Sequence, residues 1–85
     1  MNQILFYTKA NCPLCAEARA LLNLFEQAGN IEVDERDIHE SDSWLLEYQL
    51  KIPVIEAEGI QLYGNQITLQ AIDQLISMSQ GTDFA

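Results

Sequence analysis

The sequence predicts an α/β domain on a four-stranded mixed sheet, with the element order β-α-β-α-β-β-α and helices on both faces. Three observations lead there. The apolar run Ile4-Leu5-Phe6-Tyr7 is followed, after a brief connector, by an apolar stripe at helical spacing that begins at Leu14. Two further short apolar runs, Val54 to Ala57 and Ile60 to Tyr63, flank Glu58-Gly59, which is turn chemistry between neighbouring strands. An amphipathic segment from Leu69 closes the pattern.

The first strand is expected over Gln3 to Thr8, where near-continuous apolarity suits a strand covered on both faces. Lys9-Ala10-Asn11 connect it to a helix opened by Pro13, whose missing N–H is harmless in a first turn. Leu14, Ala18, Leu21, Leu22 and Phe25 make one stripe, Glu17 lies toward the positive end of the helix dipole, and Gly29-Asn30 ends the helix. Ile31 to Ile38 alternates and reads as a second, more exposed strand. Asp42 is the expected cap of a short helix, Ser43 to Leu50, with Leu45, Leu46 and Tyr48 facing inward. Thr68 caps the last helix, with Leu69, Ile72, Leu75 and Ile76 on one face. The first strand–helix–strand unit pairs its strands in parallel through a right-handed crossover, and the hairpin adds antiparallel strands. Residues 1–79 thus form a single domain, and 80–85 are expected to fray.

A chain of 85 residues buries one modest core. Its hydrophobic share of 48% excludes a disordered chain. Thirteen acids against 4 bases give a net charge of −9, which argues against nucleic acid as a partner. The acids concentrate between Glu32 and Glu47, where Arg36 is the only base, and read as a solvated face. No apolar run approaches the ~18 residues of a membrane span. The start, Met1-Asn2-Gln3-Ile4, lacks the basic and long apolar regions of a signal peptide. The expected compartment is the cytoplasm, with no membrane partner and a monomeric state.

Chemistry concentrates at Cys12-Pro13-Leu14-Cys15. Cys12 stands where the first helix begins, and unpaired backbone N–H groups and the positive end of the dipole favour thiolate over thiol there. Lys9 adds positive charge from three residues upstream. A free thiol titrates near about 8.5, and CxxC thiols at helix N-termini fall to about 3.5–7.5. Cys12 is therefore the expected attacking sulfur. Cys15, one turn later on the same face, is expected to be more buried, to form a disulfide with Cys12, and to resolve the mixed disulfide. Pro13 stiffens the loop, and Leu14 offers an apolar shoulder beside the sulfur. Structural zinc wants four Cys or His ligands, and only His39 remains, so no metal is assigned. A purely structural bridge would close too small a loop to stabilise much.

Tyr7-Thr8-Lys9, Cys12-Pro13-Leu14-Cys15 and Ile52-Pro53-Val54, in this order, resemble the glutaredoxin pattern over nearly the whole chain. The likeness is to small bacterial glutaredoxin-like domains with Cys-x-Leu-Cys. It implies a thioredoxin-like fold and a cis peptide bond before Pro53. It also implies that the backbone of Ile52 faces the Cys12 sulfur, so that a substrate strand or glutathione pairs with it. In the family, a Gly-rich turn with an acid holds the γ-glutamyl end of glutathione. The matching stretch here is Tyr63-Gly64-Asn65-Gln66, which keeps Gly64, offers Asn65 as a hydrogen-bonding group and has no acid. Leu14 stands where an aromatic residue is usual. The first strand carries no acid to take the Cys15 proton, and Glu17 is the sequence's candidate acceptor.

The resemblance implies a thiol–disulfide oxidoreductase that reduces protein or glutathione mixed disulfides through its dithiol. It would need no tightly bound cofactor and would use glutathione as the candidate reductant. The substrate-contacting candidates are Lys9, Pro13, Leu14, Ile52, Pro53, Gly64 and Asn65. A second reading is a non-enzymatic module that docks a peptide beside Pro53 and keeps the cysteines as a structural or vestigial pair. An iron–sulfur carrier is the third.

Overall fold

The computed structural model of the chain describes residues 2–80. They form β1 (Asn2–Thr8), α1 (Pro13–Gln27), β2 (Ile31–Asp37), α2 (Asp42–Tyr48), β3 (Val54–Ala57), β4 (Ile60–Tyr63) and α3 (Leu69–Gln80), with single 3-10 turns at Ile38–Glu40 and Gly64–Gln66. The sheet order is β2-β1-β3-β4. β1 runs parallel to β2 and antiparallel to β3, and β3 is antiparallel to β4. This is the α/β, four-stranded mixed architecture that the residue pattern predicts.

β1 is central because both of its faces are apolar. Ile4 and Phe6 are fully buried on one side, where they meet Ala18 and Leu22 of α1 and Ile72, Leu75 and Ile76 of α3. Tyr7 and Val54 are buried on the other side against Ile38 and Tyr48, with Trp44, Leu45 and Ile52 packed beside them. Tyr7 stacks on Tyr48 at 4.2 Å between ring centres and meets Trp44 edge-on at 5.8 Å. α1 and α3 therefore cover one face and α2 the other. The β3–β4 turn places both Glu58 and Gly59 at positive φ (53° and 77°), the geometry of a tight hairpin whose twist matches the sheet.

Several boundaries differ from the sequence expectation, each for a local reason. β2 ends at Asp37, and Ile38 turns into the second apolar cluster instead of continuing the strand. The cap of α2 is Ser41, whose hydroxyl accepts the Trp44 N–H at 3.4 Å, and Asp42 becomes the first helical residue. That frame turns Trp44, Leu45 and Tyr48 toward the sheet and leaves Leu46 77% exposed, so Leu46 is not a core residue. Leu14 and Leu69, read as parts of apolar faces, each stand in the first turn of their helix and are exposed. Thr68 Oγ1 accepts the Ala71 N–H at 3.0 Å at the head of α3. α3 runs to Gln80, one residue past the expected domain end, and residues 81–85, where fraying is expected, lie outside the described residues.

Candidate functional site

Cys12 is the cap of α1. Its backbone is extended (φ −121°, ψ 103°), and Asn11 before it takes the left-handed conformation (φ 58°) that turns the chain from β1 into the helix. Asparagine tolerates that region better than most residues with a Cβ. The Cys15 N–H donates to Cys12 Sγ at 3.2 Å, and the Ala16 N–H donates to the Cys12 carbonyl at 3.0 Å. No acid stands in the first turn of α1, so Glu17 does not compete with the sulfur for the positive end of the dipole. Cys12 and Cys15 are joined as a disulfide, with Cα atoms 5.1 Å apart. Cys12 is half-buried, and Cys15 is only 3% exposed.

An open cleft of about 640 Å³ runs beside the pair. Cys12, Cys15, Pro13, Lys9, Asn11 and Thr8 line it, as do Phe6, Ala16, Arg19 and Glu35. Arg19, one turn after Cys15, donates from Nε to Glu35 at 3.1 Å and from Nη2 to Glu26 at 3.1 Å, while its Nη1 is buried without a partner. The sequence reading singles out neither Arg19 nor Glu35. The spacing Cys15–Arg19 and the alternation Ile31-Val33-Glu35 are the signals that could have placed them toward the sulfur face.

The other candidates form a second cluster, at the joined ends of β3 and β4. The Ile52–Pro53 peptide is cis, and Pro53 is buried. Its carbonyl accepts the Gly64 N–H at 3.0 Å, with Gly64 at φ 60°. Asn65 is exposed in the turn that follows. None of Ile52, Pro53, Gly64 and Asn65 lines the cleft. The Ile52 N–H donates to the Tyr48 carbonyl at 3.0 Å, so that donor is engaged by the end of α2 and is not open to a pairing strand. Leu14 is 52% exposed on the helix turn between the cysteines, outside the cleft lining. Among the described residues no three His, Cys, Asp or Glu side chains converge as a metal cradle. No described helix is long and apolar enough to cross a membrane.

The arrangement pairs one accessible sulfur at a helix N-terminus with one buried sulfur. The sequence profile of the Glutaredoxin-like domain family (DUF836) matches residues 3–77. Among solved structures, the chain is similar to the structural-genomics target protein XcR50 from X. campestris, at 20% identity and a TM-score of 0.62 over 96% of this chain and 97% of that one. It is similar to the thioredoxin-like protein BC3987, at 22% identity and a TM-score of 0.58 over 85% of this chain and 97% of that one. Thioredoxin 1 from Thermosipho africanus matches at 11% identity and a TM-score of 0.58 over 92% of this chain and 98% of that one. At these identities the likeness concerns the fold.

Proposed function

Since the chain belongs to the glutaredoxin-like domain family and folds as its thioredoxin-like neighbours do, we propose that it is a dithiol oxidoreductase reducing protein or glutathione mixed disulfides. The observation that carries this reading is the cysteine pair itself: Cys12 caps α1 with its sulfur, and Cys15 is buried one turn behind it at bonding distance.

In the reduced protein the N–H groups at the start of α1 favour negative charge on Cys12 Sγ. That thiolate attacks a substrate disulfide, and the sulfur it displaces leaves as a thiolate. Cys15 then attacks Cys12 Sγ, releases the second substrate sulfur and restores the bridge. Lys9, in the cleft wall, adds positive charge near the attacked sulfur. Glutathione is the proposed reductant, the cytoplasm the proposed compartment and the monomer the proposed state. Reduction of insulin and of glutathione mixed disulfides tests the activity. The protein is expected to reduce at least one of them, and Cys12→Ser is expected to abolish turnover; unchanged turnover removes the assignment.

A module that docks a peptide without turnover is the second reading. It is favoured by the exposed Leu14 and by the turn Tyr63-Gly64-Asn65-Gln66, which has no acid for an ammonium group. The midpoint potential separates the two readings. Thioredoxins and glutaredoxins lie between about −270 and −200 mV, and a pair that glutathione reduces belongs to the enzyme reading.

A further inference from the structure

The resolving step needs a group to take the Cys15 proton, and we propose that Glu35, held by Arg19 across the cleft, is that group. The inference rests on the dithiol reading above. Cys15 is almost fully buried, so its proton must leave through the cleft that it lines. Among the described residues lining that cleft, Glu35 is the only carboxylate. Glu17, the sequence's candidate, is exposed and lies outside it.

Glu35 reaches this place through the sheet. It pairs with Phe6 of β1, and strand alternation puts it on the α1 side together with Ile31 and Val33. Arg19 holds it at 3.1 Å and is itself anchored to Glu26, so the carboxylate is positioned from the same helix face that carries Cys15. Its side chain is 52% exposed, in contact with the water that a cleft of about 640 Å³ admits. The charged groups around it are Arg19 and, behind it, Glu26 from α1, and Lys9 from the β1–α1 connector. Two residues further along its own strand, on the same face by alternation, stands Asp37, paired with His39 at 3.5 Å. From β1, the uncharged Phe6 and Thr8 line the cleft.

At the start of the step, a substrate sulfur is bonded to Cys12 Sγ. The Cys15 Sγ–H proton passes through cleft water to a Glu35 carboxylate oxygen, and the freed electron pair forms the Cys15–Cys12 bond. The Cys12–substrate bond breaks, and the substrate sulfur leaves with that bond's electron pair and takes up the proton that Glu35 hands on. Cys15 is oxidised, the substrate sulfur is reduced, and the proton count closes.

The test reduces the protein with dithiothreitol, removes the reagent and mixes the protein with a fluorescent mixed disulfide of glutathione. Acid quench and mass spectrometry then follow the Cys12 adduct from about pH 5.5 to 9.5. General-base catalysis contributes about 10²–10⁴-fold, and relay through water takes the low end or less. Glu35→Gln is therefore expected to resolve the adduct at least about tenfold more slowly below pH 7. The gap is expected to narrow as the pH rises toward about 9.5, because hydroxide then removes the Cys15 proton without help from a carboxylate. Glu35→Asp is expected to recover part of the rate. Glu32→Gln makes the same charge change on the same strand and is expected to match the parent. A parental rate for Glu35→Gln at every pH, or a loss of equal size at every pH, overturns the role of Glu35 and leaves the dithiol reading standing. A parent protein that neither forms a Cys12 adduct nor converts its reduced cysteines to the Cys12–Cys15 bridge overturns both.

Discussion

Cys12 caps the helix that carries Cys15: the Cys15 N–H points at Cys12 Sγ from 3.2 Å. The sulfur stands where a serine or aspartate oxygen normally satisfies the first-turn donors of a helix. A thiolate accepts those donors better than a thiol does, so forming the helix and ionising Cys12 favour each other.

The first prediction follows from that coupling. In the reduced protein near pH 7, iodoacetamide is expected to alkylate Cys12 at least about tenfold faster than Cys15, because only the thiolate is nucleophilic and Cys15 is buried. Peptide mass spectrometry after timed quenching reads both rates. Equal rates would contradict the cap's effect on the sulfur.

Asn11 provides the second. Its φ of 58° is left-handed, a region that costs a residue with an ordinary Cβ about 1–2 kcal/mol. Asn11→Ala is expected to lower stability by about 1 kcal/mol, and Asn11→Gly is expected to stay within a few tenths of the parent. Urea unfolding of the oxidised protein should show the difference as a lower midpoint at constant slope. A stable Asn11→Ala would mean that the turn before Cys12 relaxes when its residue changes.

What the sequence made readable was local. Glu58-Gly59 between two apolar runs located the β3–β4 hairpin to the residue, and Cys12 and Cys15 share a helix face by spacing alone. Sequence and structure differ where two local signals compete. Ser41 and Asp42 are both good caps, and a shift of one residue exchanges Trp44 for Leu46 on the buried face of α2. The Arg19–Glu35 contact joins residues sixteen apart, and it exists only because the crossover brings β2 alongside β1. Strand alternation states which side of β2 Glu35 occupies, but the depth of the cleft and the reach of Arg19 are set by tertiary packing.

The Ser41 cap yields the third prediction. Loss of a capping oxygen costs about 1 kcal/mol, whereas an exposed acid in the first turn is worth about 0.3–1 kcal/mol through the dipole. Ser41→Ala is therefore expected to destabilise more than Asp42→Ala in parallel urea titrations. The reverse order would return the cap to Asp42.

Tyr48 gives the protein an alkaline limit. Its ring is 8% exposed and stacked on Tyr7, and burial is the main cause that raises the phenol above its ordinary value of about 10. The charge of an ionised Tyr7 pushes in the same direction, while the Gln61 amide, donating to Tyr48 Oη at 3.3 Å, opposes it. Below about pH 10 the folded and unfolded chains both keep the Tyr48 proton, and the contribution to stability is complete. Above it the unfolded chain ionises first, so stability falls with rising pH until the folded phenol also ionises. Tyr48→Phe removes this limb and, near neutrality, one hydrogen bond worth about 1 kcal/mol. Urea midpoints measured from about pH 8 to 11 are expected to fall more gently in Tyr48→Phe than in the parent. Parallel curves would mean that the Tyr48 hydroxyl reaches water in the folded protein and titrates as it does in the unfolded chain.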